Sequence, residues 1–296
     1  METAESLKRR IHTAEELHSL VRTMKALAAV NIRQLEHAVE SLADYRRTIE
    51  LGLRVVLRRQ EHTTATLRTA PRNNLGAVVF GTDQGMCGAL NDQITAFAAE
   101  QIESSSVPLE GRAVLAVGLR LAPRLEDAGH KPETSLPVAG SAGGITPLVQ
   151  DILGHVDRWH RERRIDRIAV FHCEHTSRAA YRLRRFDLLP IDRQWLESLE
   201  HRKWPTRVVP TFTMDTDRLF SALVRQYLFV SLFRACAESL ASENASRLAA
   251  MRGAERNIGD RIVELTSQFH QTRQMAITEE LLDIASGFEA LTEGAR

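Results

Sequence analysis

Apolar residues recur at every seventh position near the start of the chain: Leu7, Ala14, Val21, Ala28, Leu35, Leu42, Ile49 and Val56. Leu17, Met24, Ala38 and Tyr45 each stand three residues after a member of that stripe and fill the second seam of a heptad pattern. The pattern predicts one helix from about residue 4 to about residue 59, roughly 80 Å long. Such a helix exposes a stripe that only an equally long partner covers. The other end supplies one: Leu248, Met251, Ile258, Ile262, Leu265 and Phe269 lie at intervals suited to one helical face, and residues 215–288 predict a second helix of roughly 110 Å. The periodicity alone suits a homodimer or a bundle as well as a pair within one chain. The matched ends and a compact centre that returns the chain alongside itself favour an antiparallel intramolecular coiled coil.

Proline sharpens the division. All nine prolines lie between Pro71 and Pro210, so neither end carries the residue that breaks helix interiors. Three segments follow: an N-terminal helix over 1–70, a centre over 71–210 and a C-terminal helix over 211–296. In the centre, residues 75–80, 113–117 and 168–172 are short apolar runs bounded by Gly, Pro or charge. Each precedes a helix-like stretch, at 90–104, 119–129 and 176–186, and residues 145–162 add another helix. This alternation predicts an α/β domain with a mostly parallel sheet.

Composition narrows the function without choosing it. Lys and Arg number 39 against 38 Asp and Glu, a net charge of +1, which argues against a chain built to neutralise nucleic-acid phosphates or to lie on an acidic membrane. At 43% apolar and 26% charged the chain is of ordinary globular make-up. The longest apolar run, residues 227–233, falls short of a bilayer span of about 20 residues. Glu2 and Glu5 at the start fit neither a secretory signal nor a transit peptide. Cys87, Cys173 and Cys236 are too scattered for a metal site, and an odd number suits a reducing, cytosolic setting.

Candidate chemistry is sparse. The glycine clusters at 81–88 and 140–144 match neither a Walker loop nor a dinucleotide fingerprint, and tight strand-to-helix turns account for them. His172, Cys173 and His175 lack a fourth metal ligand at usable spacing. Asp187 with Asp192, and Glu162 with Asp166, are read as solvated carboxylates among many arginines. Arg158, Arg161, Arg163, Arg164 and Arg167, interleaved with Asp157, Glu162 and Asp166, predict a salt-bridged helix. No catalytic centre, metal site or cofactor site is expected. The alternative is a free-standing α/β enzyme with helical arms, binding an anionic small molecule at the 81–88 turn.

Three segments carry a family likeness. Leu7-Lys8-Arg9-Arg10-Ile11 with Val21-Arg22-Thr23-Met24-Lys25-Ala26-Leu27-Ala28-Ala29 resembles the opening helix of the ATP synthase gamma subunit family. Residues 238–251 and 272–281 resemble its C-terminal signature, and Gly81-Thr82-Asp83-Gln84-Gly85-Met86-Cys87-Gly88-Ala89-Leu90-Asn91 is similar to its Asp-x-Gly-Leu-Cys-Gly segment. The matches keep the family order and span the chain.

The resemblance implies a non-catalytic central-stalk rotor of an F-type ATP synthase. Its asymmetric coiled coil would turn inside alternating alpha and beta subunits, with a Rossmann-like α/β domain inserted as a foot on the membrane c-ring. Arg273, Gln274 and Thr278 match positions that bond to catalytic beta subunits, and Met24 and Lys25 match a segment facing a moving beta loop. Residues 188–213 would approach the ring and the epsilon subunit. Association with the membrane would be indirect, at the cytoplasmic face of a bacterial inner membrane. Glu15 and Glu16 stand where the family is usually basic, and Asn31-Ile32-Arg33 replaces its common Ser-Lys-Leu-Arg-like stretch, so the chain looks like a divergent branch. No cysteine pair of the chloroplast redox switch follows Cys87.

Overall fold

The computed structural model describes residues 3–59, 74–176, 181–202, 204, 205, 208 and 210–293. In chain order the elements are α1 (Ala4–Arg59), β1 (Leu75–Phe80), α2 (Leu90–Glu103), β2 (Arg112–Val117), α3 (Ala122–Asp127), β3 (Thr134–Leu136), α4 (Ile145–Arg163), β4 (Arg167–Glu174), β5 (Arg182–Leu189), α5 (Arg193–His201) and α6 (Thr216–Glu293). The chain divides into two compact units, Met1–Leu27 with Leu248–Arg296, and Ala28–Arg247. Parts of both long helices occur in each.

The larger unit is built on a five-stranded sheet in the order β3-β2-β1-β4-β5. Strand β1 pairs in parallel with β2 and β4, β2 pairs in parallel with β3, and β5 runs antiparallel to β4. Because successive side chains point to opposite faces, β1 feeds two cores. Ala77 and Val79 pack with Ile94, Ala98 and Ile102 of α2 and Leu125 of α3. Val78 and Phe80 pack with Val149, Ile152 and Trp159 of α4 and with Leu232, Cys236 and Leu240 of α6. With both faces covered, every residue of β1 is buried, which is why it reads as a continuous apolar run. Gly76 is required by close approach: a Cβ there would lie 2.8 Å from the Trp159 ring.

Alongside the sheet, α1 and α6 are antiparallel. Asn31 Nδ2 donates to Asn244 Oδ1 at 3.4 Å, Tyr45 Oη donates to Gln226 Oε1 at 2.9 Å, and a Cβ on Gly52 would lie 3.0 Å from Leu223 Cδ2. The partner number falls as the α1 number rises. Helix α5 is capped by Asp192, whose carboxylate accepts the Gln194 N–H at 2.9 Å. Its far end is held by Arg54 and Arg58 of α1, whose guanidinium groups donate to the Arg202 carbonyl.

The α/β class, the two long helices and strands near 75–80, 113–117 and 168–172 agree with the sequence reading. The helix expected over 176–186 is corrected, because residues 182–189 form strand β5, while 177–180 lie outside the described residues. Arginine-rich sequence favours helix only weakly, and pairing with β4 overrides it. The second seam is corrected as well. Of its four residues Met24 and Ala38 are half-buried, but Leu17 is 48% and Tyr45 44% exposed, whereas the positions four after the main stripe, Ile11, His18, Lys25, Ile32, Val39, Arg46 and Leu53, are all half-buried or buried. Three of those seven are charged or ionisable, so the apolar pattern pointed one residue to the side. The main stripe is as expected: Leu7, Val21, Ala28, Leu35, Ile49 and Val56 are buried, and Ala14 and Leu42 half-buried. By length and composition α6 also suffices to cross a membrane, and 22% of its most apolar 18-residue window is buried within the protein.

Gly118 follows β2 with φ +125°, and a Cβ there would lie 2.6 Å from the Thr82 backbone nitrogen. Gly118→Ala therefore lowers stability by about 2–4 kcal/mol through strain and overlap together. Urea unfolding of the full chain measures this; an unchanged midpoint would contradict it.

Candidate functional site

Within the smaller unit, Leu7 and Val21 of α1 and Met251 and Leu265 of α6 are buried. Lys25 Nζ bonds Glu255 Oε2 at 2.5 Å, and Arg22 Nε lies 3.7 Å from Glu255 Oε1. The Lys25 hydrogen bond, the largest influence, holds the Glu255 carboxyl below its ordinary value. Lys25 is thus half-buried and tied within the chain, and Met24 beside it is half-buried. Leu17, Leu20 and Leu27 are exposed. At helical spacing they share a stripe with Met24, an outward apolar face that the sequence reading assigned in part to the seam.

The end of α6 is a second exposed surface. Every described residue from 273 to 286 is exposed, including Arg273, Gln274 and Thr278. Thr278 Oγ1 donates to the Gln274 carbonyl of its own helix at 2.9 Å. Ile277, Leu281 and Ile284 recur at i, i+4 and i+7 on the face that carries Arg273 and Gln274, and Ile284 is 70% exposed. A continuous apolar stripe with polar groups set into it has the make-up of an interface. The apolar members were missed in the sequence because their spacing reads equally well as a buried seam.

In the larger unit, the C-terminal ends of β1 and β4 form the crevice where doubly wound sheets ordinarily take ligands. Here α6 fills it. Ser242 Oγ donates to the Cys173 carbonyl at 3.0 Å, Ser246 Oγ donates to the Cys87 carbonyl at 2.5 Å, and the Cys173 N–H reaches Ser239 Oγ at 3.5 Å. The space left among Phe80, Gly81, Val117 and Glu243 is about 10 Å³. The glycine turn is also internally satisfied: Asp83 accepts the Leu119 N–H at 2.7 Å and the Val138 N–H at 3.0 Å, while Thr82 and Asn91 bond each other. An anion at this turn would meet a carboxylate and occupied donors. The spacing 239, 242, 246 within an alanine-rich stretch was the available sequence signal.

The remaining candidates have structural roles. His172 and Cys173 point to opposite faces of β4, and burial pushes the Cys173 thiol up to about 12. Among the described residues no cluster of His, Cys, Asp and Glu suits a metal. Asp187 pairs with Arg185, Asp192 caps α5 and Asp166 pairs with His160.

A long helix pair, a sheet whose ligand crevice is filled by its own chain and exposed apolar helix faces define a structural subunit of a larger assembly. The comparisons agree: a family model described as ATP synthase matches residues 3–291, and the chain belongs to that family. It is similar to the ATP synthase gamma chain of Nostoc punctiforme, 27% identical over 99% of this chain and 100% of that protein. The gamma chain of Bacteroides fragilis is 26% identical over 97% of this chain and 99% of that one. Among solved structures, a chain of the Euglena gracilis mitochondrial ATP synthase OSCP/F1/c-ring matches with TM-score 0.60 and 20% identity, over 99% of this chain and 96% of that chain. A chain from the central stalk/c-ring of the Tetrahymena thermophila mitochondrial ATP synthase matches with TM-score 0.54 and 18% identity, over 79% and 99%. The chain is a gamma-type, non-catalytic central-stalk subunit of an F-type ATP synthase, a membrane-associated rotary complex.

Two outcomes test this geometry. Asp83→Ala leaves two backbone N–H groups without their acceptor and lowers stability by about 2 kcal/mol in urea unfolding; an unchanged midpoint would count against the stapling role. A free glutamate titrates near about 4.3 and Glu255 lower, so the Lys25 pair stabilises the fold above that pH and is lost as pH falls through the lowered value. Glu255→Gln therefore flattens the acid limb of thermal stability against pH, and identical limbs would show that the pair contributes nothing.

Proposed function

We propose that the exposed end of α6 is the part of the rotor gripped by the catalytic ring of alpha and beta subunits. Arg273, Gln274 and Thr278 supply oriented hydrogen bonds to the beta subunits, and Ile277, Leu281 and Ile284 supply the apolar bearing between them. Met24 and Lys25 face a moving beta loop, with Met24 in the outward stripe and Lys25 braced by Glu255. The observation that carries this reading is the unbroken exposure of residues 273–286 on a helix with an apolar face. If the angle of the shaft sets the affinity of a beta site for its nucleotide, the nucleotide biases the angle by the same free energy.

Residues 71–210 act as the foot, and 188–213 approach the c-ring and the epsilon subunit. Two features support a load there: the capped helix α5 and the Arg54 and Arg58 donors that tie its end to α1. The assembly sits peripherally at the cytoplasmic face of a bacterial inner membrane, an assignment supported by the bacterial relatives.

The test is a complex assembled with alpha and beta subunits in which Arg273, Gln274 and Thr278 are all replaced by alanine. Charge-assisted hydrogen bonds contribute about 1.5–3 kcal/mol each. The expected outcome is an intact complex whose ATP hydrolysis falls by about tenfold or more, with shaft torque reduced in single-molecule rotation. Wild-type rates and torque in an intact complex would overturn these roles.

A further inference from the structure

The larger unit contains a second polar feature that the stalk role does not use. A cavity of about 360 Å³ opens where α1, the β4–β5 edge of the sheet and α6 meet. Arg46 reaches it from α1, Arg184 from β5 and Arg234 from α6, while the Arg185 guanidinium turns to Gln101 of α2 on the opposite face of the sheet. Against these three cations stand two carboxylates, Glu174 and Glu238, leaving a lining charge of +1. Burial, the largest influence on both, pushes them up, but the hydrogen bonds and charges of Arg182 and Arg184 on Glu174, and of His172 and Arg234 on Glu238, hold both below their ordinary value.

The carboxylates do not use up the cations. Glu174 already binds Arg182 at 2.6 Å, so Arg184, 2.9 Å away through Nε, is a surplus partner. Glu238 is shared by Arg234 Nε at 2.6 Å and His172 Nε2 at 3.0 Å. Arg46 is bound through Nε to Glu50 at 2.9 Å. Among the described residues, Arg46, Arg184 and Arg234 all form their side-chain ion pairs through Nε, leaving the terminal Nη groups to a ligand. The second observation comes from His172. It is only 6% exposed, its ring lines the cavity, and its Nδ1 is buried with no hydrogen-bond partner. With Nε2–H donated to the ionised Glu238, this Nδ1 is an acceptor, a costly arrangement that a hydroxyl or N–H donor on the organic part of a ligand relieves.

We propose that this cavity is a binding site for a small phosphorylated molecule carrying at least two negative charges. Its phosphate group is held by Arg46, Arg184 and Arg234. Guanidinium groups suit phosphate because their paired N–H groups match two of its oxygens. The cavity exceeds the needs of a lone phosphate, and Phe186 and Tyr227 provide aromatic walls for an attached organic group. A ligand there would cross-link α1, the sheet and α6 through charge, stiffening the larger unit independently of the ring contacts proposed above.

The experiment titrates the purified full chain, by calorimetry at low salt, with inorganic pyrophosphate, with ADP, and with vesicles of phosphatidic acid in phosphatidylcholine. One saturable site per chain is expected for at least one probe. A response to pyrophosphate or ADP indicates a soluble ligand, and a response to the vesicles alone indicates a lipid headgroup. Arg46→Gln and Arg184→Gln each weaken binding by about tenfold or more, whereas Arg161→Gln on α4 leaves it unchanged. Should either of those two variants unfold, Ser231→Phe fills the cavity without removing an ion pair and abolishes binding. The proposal is overturned if no probe saturates, or if binding survives Ser231→Phe or is equal in folded Arg46→Gln, Arg184→Gln and Arg161→Gln.

Discussion

Residues 235–247 of α6 impose the condition on which the larger unit rests. All but Glu238 in this segment are buried, so the helix is enclosed on every side. A helix so enclosed must be slim, and Ala235, Ala237, Ala241 and Ala245 let neighbouring backbones approach. It must also answer polar groups at the end of the sheet, which Ser239, Ser242 and Ser246 do through the backbone of Cys87 and Cys173. Glu243 and Arg247 form the one fully enclosed ion pair of the segment, with Glu243 raised above its ordinary value by burial. Ordinary hydrophobic packing would have needed larger side chains and left those carbonyls without donors.

The same segment explains why the crevice of this doubly wound sheet is filled by its own chain. The crevice at the ends of β1 and β4 is where such folds place phosphates, and the glycine turn at 81–88 has the composition for it. Asp83 turns the local donors inward, and the serine face of α6 closes the space. Fold and function separate at this point: the architecture is shared with many enzymes, and what has been added to it is a helix that runs on beyond the sheet.

Much of this was legible in the sequence. The stripe from Leu7 to Val56 marked α1 because a helix with one covered face must repeat near seven. Strands β1, β2 and β4 were visible as apolar runs because both faces of the sheet are covered. The pattern failed where burial was decoupled from hydrophobicity. Lys25 and Arg46 occupy seam positions through ion pairs with Glu255 and Glu50, and Leu17 and Leu27 are apolar yet exposed. Strand β5 reads as helix in the sequence because edge pairing leaves little signature in Arg182-Leu183-Arg184-Arg185. The short strand β3 and the hydrogen bonds of Asp83 depend on contacts distant in sequence. The cavity lined by Arg46, Arg184 and Arg234 joins residues from three remote segments, and no local motif announces it.

The bare end of α6 has a cost before assembly. An isolated helical stretch gains little from its own hydrogen bonds in water, so residues 273–286 in a newly made copy fray and offer both an apolar bait and an unfolded substrate. Chaperones and proteases recognise such segments. If a ring grips this end as proposed, a copy without one keeps the stripe open to both, and surplus subunit would be matched to its partners by degradation as well as by synthesis.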